Sequence, residues 1–329
     1  MINFLISLVV FLFVCFPILY FIGRLFIQKI ASKISILENL YLSIIFGLFF
    51  IIFQTIVTGF LSIRFLSLPI TIALVVVSFI KHRQDFFKAF SSLFKSKSLM
   101  VMILASISML VMINFPSGVK LANGLNFYSS QGHDGLWHVS LMEEIKTQFP
   151  PSQPLYAGHP LTNYHFISDI FMGEFYRLFP IFTSLDLYFR FYPILFAFLI
   201  SFGVYNFVLR LKNHQAALWA MFFTTFCGSF GYIYSLINHQ FIFSGETTFW
   251  ASQGNTLLGN PPHALGIIIL TTVLLLLTLF QQSENKWFIF YLTILASPLV
   301  GVKASAGSIC AVSLIAVGLL RLIFEKKFD

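Results

Sequence analysis

Nine apolar runs recur along this chain, at 2–22, 40–63, 65–80, 99–115, 187–209, 216–237, 264–280, 287–300 and 304–324. A helix needs about 20 predominantly apolar residues to cross the hydrocarbon of a bilayer. Inside that hydrocarbon every backbone N–H and C=O must be bonded within the segment, so a run of this kind can only be a helix. The runs at 65–80 and 287–300 are the short ones. Water is no alternative solvent, because 58% of the residues are hydrophobic and 10% charged, against about 25% charged in a soluble domain. The expected fold class is therefore an all-α polytopic membrane protein of about nine transmembrane helices. The first run has no basic stretch before it and no small-residue cleavage site after it, so it reads as a retained helix. Cys15, Cys227 and Cys310 all fall inside apolar runs and read as small buried hydrophobes, neither disulfides nor zinc ligands.

The net charge is +8, but the basic residues flank the apolar runs, so they report topology rather than nucleic-acid binding. With the N-terminus outside, 14 of the 20 basic residues, Arg24, Lys29, Lys81 and Arg83 among them, fall on the cytoplasmic side. Arg64, Lys120, Lys146, Arg177, Arg190 and Lys303 remain outside. Seven of the 12 acids and six of the eight histidines join them there. Two polar segments, 116–186 and 238–263, thus share the non-cytoplasmic side of a cell (inner) membrane. The chain divides into N-terminal transmembrane helices at 1–98 and a module at 99–329 that carries both outer loops.

The first outer loop holds the segment GHDGLWHVSLMEEIKTQFPPSQPLYAGHPLTNYHF, 132–166. Asp134 suits a helix N-cap, and Trp137, Leu141, Ile145 and Phe149 then recur every four residues on one face. Pro150 and Pro151 end that helix. A second is expected at 165–179, with Ile167, Ile170, Phe171 and Leu178 on its apolar side. Both are expected to lie along the interface with their apolar faces in lipid. Asp134 and His138 are four apart and so share a face, while Asn163, Tyr164, His165 and Asp169 gather at the start of the second helix. Asp134 has two readings, a cap alone or a reactive carboxylate. His133 and His138 are either wet interfacial residues or ligands. In the second loop Pro261 and Pro262 read as a helix start, placing His263 at the rim where it could meet a phosphate or a sugar hydroxyl. Lys303 lies between two short apolar runs. It either snorkels to the interface or binds an anion at membrane depth.

The stretches HDGLWH (133–138), FPPSQPLYAGHPLTNYHF (149–166), NPPHALG (260–266) and GVKASAG (301–307) resemble the GT-C superfamily of polytopic glycosyltransferases, which includes protein O-mannosyltransferases and aminoarabinose transferases. The resemblance covers residues 99 to about 324. It implies a membrane helix leading into a large outer loop with two amphipathic helices, and an acid near the loop's start, here Asp134, as catalytic base or metal contact. It also implies transfer of a sugar from a polyprenyl-phosphate donor to an acceptor at the outer face, with membrane lipid as the other partner. A base at the acceptor hydroxyl is what such a displacement needs, so Asp134, His138 and Asp169 are the candidate catalytic residues. His133, Glu143, Tyr164, His165, Arg190, His263 and Lys303 are the candidate substrate-binding ones. Lys303, His263 or Arg190 would steady the departing phosphate. The alternative use of Asp134 and His138, with His133 and Glu143 or Glu144, is to hold a metal. Their spacing matches no zinc signature, and carboxylate with imidazole would suit Mg or Mn. Two other functions fit a chain like this: a transporter or flippase of a lipid-linked saccharide, and a non-catalytic membrane subunit. A transporter places its polar groups at the midplane, whereas here they cluster outside the spans.

Overall fold

The computed structural model describes residues 2–156, 158–228, 233, 236–239 and 253–326. Its helices are α1 (Ile2–Phe26), α2 (Ile36–Phe60), α3 (Ser67–Lys95), α4 (Lys97–Val111), α5 (Asp134–Thr147), α6 (Ile167–Leu178), α7 (Ser184–Asp186), α8 (Tyr192–Leu211), α9 (His214–Phe226), α10 (Gln253–Leu258), α11 (Pro261–Ser283), α12 (Lys286–Ala296), α13 (Leu299–Val302) and α14 (Ala304–Glu325). Among the described residues six helical segments are long and apolar enough to cross a membrane: Phe4–Lys29, Ile36–Phe60, Arg64–Lys95, Ser184–Leu211, Pro261–Ser283 and Ala304–Phe324. Lys97–Val111 and Lys286–Val302 are shorter apolar helices. The architecture is that of an all-α membrane protein, with one small exception. Strands β1 (Val119–Leu121) and β2 (Gly124–Asn126) form an antiparallel hairpin, Val119 opposite Asn126, which the apolar periodicity had no means of revealing.

Several boundaries differ from the sequence expectation for physical reasons. The run at 65–80 continues as helix to Lys95. Lys81 and Arg83 end the apolar stretch but not the helix, whose backbone bonds are indifferent to side-chain charge. The run at 287–300 breaks around Pro298 into α12 and α13, since proline has no N–H to continue the ladder. The run at 216–237 is helical as α9 through Phe226. Most of 229–252, with Glu246 in the second loop, lies outside the described residues. Cys15 and Cys310 are buried as expected, but Cys227 is exposed, because α9 ends just before it.

Polar residues set the helix starts. Ser35 and Glu38 form a reciprocal capping box at α2, and Asn260 caps α11 ahead of Pro261 and Pro262; here the helix-start reading of the two prolines agrees with the structure. Helices α1 and α2 meet backbone to backbone. A methyl group at Gly23 would sit 1.7 Å from the Ser43 carbonyl oxygen, so glycine is what permits the crossing. Large aromatics fill the rest. Phe11 stacks on Phe191 at 5.1 Å, edged by Phe175, Phe182 and Tyr192. At one end of the bundle Glu38 pairs with Arg210 at 3.0 Å, Ser98 meets His214 at 2.9 Å, and Lys29 lies over Trp287. The polar loop folds over the other end.

The loop helices bury their apolar faces in protein, where the sequence led us to expect lipid. α6 buries ten of its 12 residues, Asp169 and Glu174 included, and α5 buries Leu141, Met142 and Ile145. Their apolar faces pack on each other and on the bundle, with Ile145 against Gly173. An ionic clasp holds α6 there: Glu174 accepts from Arg64 at 2.5 Å and from Arg177 at 2.6 Å. Burial pushes the Glu174 carboxyl up, and the two guanidiniums overcome it, holding it below the usual carboxylate range.

Candidate functional site

The loop's polar residues resolve into two histidine–aspartate pairs. α5 begins at Asp134, and the preceding His133 makes no side-chain capping bond. The cap reading of Asp134 therefore fails: it is the first helical residue rather than the residue before it. Its carboxylate, 49% exposed, meets His133 Nδ1 at 2.7 Å, and that imidazole is 93% exposed. One turn later His138 points inward. Its Nδ1 lies 2.7 Å from Asp169 Oδ1 on α6, and both side chains are sealed, 1% and 0% exposed. A carboxylate only accepts, which assigns the Nδ1 hydrogen to His138 and leaves Nε2 as its free face.

Aromatic rings enclose this inner pair. Tyr188 stacks on the His138 imidazole at 5.9 Å and 16°. Tyr164 stands edge-on to Trp137 at 5.4 Å and stacks on His165 at 4.8 Å. Tyr188 belongs to a π-helical turn, Leu187–Phe191, that precedes α8; such widened turns commonly mark functional positions. Burial raises the Tyr164 hydroxyl well above its ordinary range, and the nearby Asp169 charge adds to that. Burial likewise lowers His165, with the Lys303 charge lowering it further and Asp169 pulling the other way.

Lys303 reaches this group from the far side of the chain. It occupies an extended link (φ −155°, ψ 115°) between α13 and α14, the break that Pro298 begins. Neighbouring Gly301 packs on Ile167 at the start of α6, and the Lys303 side chain passes Gly266, one turn into α11 from His263. Its charge acts on both His165 and His263. The structure thus brings together His138, Tyr164, His165, Asp169, His263 and Lys303, with Asp134 close enough for its charge to act on Tyr164.

Two predicted residues stand apart. Arg190 is 6% exposed, and its donors go to Asp186 at 3.1 Å and the Ser117 carbonyl at 2.8 Å, so it ties the loop to the head of α8. Glu143 is exposed and faces Lys146 at 3.9 Å, while Lys146 covers the Tyr176 ring at 3.8 Å. Glu144 bonds Gln148. Among the described residues no three His, Cys, Asp or Glu side chains gather to hold a metal ion. Asp134 and His138 are each engaged with a different partner rather than with each other.

Sequence reasoning missed Tyr188, hidden inside an apolar run, and the chain Gln131–Asn114–Leu258. There Gln131 donates to Asn114 at 2.6 Å and Asn114 to the Leu258 carbonyl at 3.0 Å, tying the loop to α10. No family model, curated protein or solved structure matches the chain.

Proposed function

We propose that the chain is a GT-C-like membrane glycosyltransferase, moving a sugar from a polyprenyl-phosphate donor to an acceptor hydroxyl at the non-cytoplasmic face of a cell membrane. One observation carries the reading: a lysine in a helix break joins a histidine- and carboxylate-rich loop at the bundle end opposite the basic helix ends. In this topology α4, α9 and α12–α13 make up the remaining three of nine crossings, and 116–186 is the outer loop.

The chemistry then divides by exposure. Asp134, open to solvent, takes the proton from the acceptor hydroxyl. The new bond forms from that oxygen to the anomeric carbon as the bond from carbon to phosphate oxygen breaks, inverting the centre. The leaving polyprenyl phosphate carries its charge toward Lys303, with His165 and His263 as flanking donors. His138, locked by Asp169 and Tyr188, fixes the floor of the site. Tyr164 and His133 line the approach. Should Mg or Mn take part, Asp134 is the side chain with a free carboxylate oxygen to offer, and no step above requires it.

The test uses the full chain reconstituted in bilayers with a panel of polyprenyl-phosphate sugars, reading release of polyprenyl phosphate. Transfer is expected with at least one donor, and Asp134→Asn is expected to lower it about a hundredfold, the scale of a lost general base. Full activity in the Asn variant, or no release from any donor, would sink the reading.

A further inference from the structure

At the bundle end away from this site, α1 and α3 face each other across a ladder of polar side chains. Tyr20 and Arg24 are four apart on α1. Ser78, His82 and Asp85 succeed one another along one face of α3. Arg24 is only 9% exposed and Ser78 is fully buried. One arm of the guanidinium is engaged, Nη2 donating to Asp85 at 3.0 Å. Arg24 Nε and Nη1, the Tyr20 and Ser78 hydroxyls and His82 Nε2 have no hydrogen-bond partner among the described residues. His82 Nδ1 lies 3.5 Å from the same Asp85 oxygen, and Arg24 lies close to the Tyr20 hydroxyl without a bond of good geometry, so these four side chains form one cluster. Phe86 packs on Tyr20 at 4.9 Å and walls it from the side.

The Ser78 hydroxyl is telling. A hydroxyl inside a helix ordinarily satisfies itself on the carbonyl one turn back, as Thr55, Thr58 and Ser201 do in this chain. Ser78 makes no such bond. A buried donor without a partner is costly, more so when charged, and Arg24 Nε and Nη1 and the Tyr20 and Ser78 hydroxyls are four such groups. Donors outnumber acceptors, because Arg24 alone offers Nε and Nη1 hydrogens and the hydroxyls can turn to donate. The planar guanidinium edge matches the spacing of phosphate oxygens. Asp85, half exposed, holds the guanidinium by its other arm and leaves that buried edge without a partner.

We propose that the notch between α1 and α3 binds a phosphate oxyanion, carried on an anionic phospholipid headgroup or present as free phosphate. It is independent of the transfer site and needs no activity to be tested. The full chain, stripped of lipid in neutral detergent, is heated with dioleoylphosphatidylglycerol, with dioleoylphosphatidylcholine or with inorganic phosphate. A saturable rise in Tm is expected with phosphatidylglycerol and not with phosphatidylcholine. A rise with inorganic phosphate alone assigns free phosphate as sufficient, and no such rise assigns the headgroup. Arg24→Gln should weaken the apparent affinity about tenfold, the loss of one charge-assisted hydrogen bond. Lys29→Gln removes a charge at the same end outside the notch and should change it far less. Tyr20→Phe and Ser78→Ala leave the Arg24–Asp85 pair intact and should each weaken binding several-fold, so they decide the matter even where Arg24→Gln does not fold. No response to any ligand, or equal titrations in native protein and these variants, overturns the proposal.

Discussion

His133–Asp134 and His138–Asp169 are each 2.7 Å long and start one turn apart on α5, yet the first lies in solvent and the second is sealed in protein. Length alone therefore says nothing about what a pair does. An exposed pair is screened and is worth about 0–1 kcal/mol. Its carboxylate keeps free oxygens and can exchange protons with a visiting hydroxyl. A sealed pair cannot be reached that way, and what it does is hold α5 to α6 and fix one imidazole orientation. The difference assigns proton transfer to Asp134 and positioning to His138 and Asp169, although all three look alike as candidates in the sequence.

The largest effect should come from breaking the sealed pair. Asp169→Ala strands a buried imidazole and should cost about 3–5 kcal/mol in thermal or denaturant unfolding. Removing both partners with His138→Phe and Asp169→Leu should cost less than the single change, because no polar group is left orphaned. His133→Ala should shift stability by no more than about 0.5 kcal/mol. Equal losses at the two pairs would erase the distinction. Asp134→Asn sharpens it from the other side. The hundredfold loss of transfer expected of it corresponds to about 2.7 kcal/mol of barrier, with stability unchanged. A large stability loss there would return Asp134 to a structural role.

The six helices long and apolar enough to cross a membrane were legible because burying an apolar side chain is a local property of composition. Their neighbours were not. α2 and α14 contain segments of nearly equal mean hydropathy, 2.4 and 2.2, yet 78% of the first is buried in protein and 11% of the second. Lipid and protein reward the same residues, so the sequence cannot tell which a helix faces. The site was half legible for a related reason. The i, i+4 spacing placed Asp134 and His138 on one face, but α5 starts a residue early and the partner of His138 lies 31 residues away, across a helix pair whose docking depends on the Arg64–Glu174–Arg177 clasp. Tyr188 had no signal beyond being an aromatic at the head of an apolar run. Its position against His138 comes from the π-turn, which backbone geometry reveals and composition does not.

A smaller effect is expected where the two halves of the site meet. Lys303→Met keeps length and removes charge. On the proposed reading it should weaken donor use about tenfold, one charge-assisted contact, seen in kcat/KM for the donor. Donor kinetics equal to the native protein's would leave Lys303 as a residue that snorkels.

The smallest effect is a pH dependence, and it tests whether the Lys303 charge acts on His165, without any substrate. Burial first, and then the Lys303 charge, hold His165 below its ordinary value. The unfolded chain exposes His165 at about 6.5, so between the folded and the ordinary value the unfolded state binds more protons. Stability must then rise with pH through that window. On acidification the loss begins near the ordinary value and stops growing below the folded one. His165→Gln should flatten this part of the profile. Lys303→Met removes one of the lowering causes, moves the folded value of His165 up and narrows the window, while burial, the largest cause, keeps part of the slope. Tm measured across this pH range in the native chain and both variants decides it. An unchanged slope in Lys303→Met would mean that Lys303 does not face His165, and the two halves of the proposed site would come apart, whatever the exposed and sealed pairs do on their own.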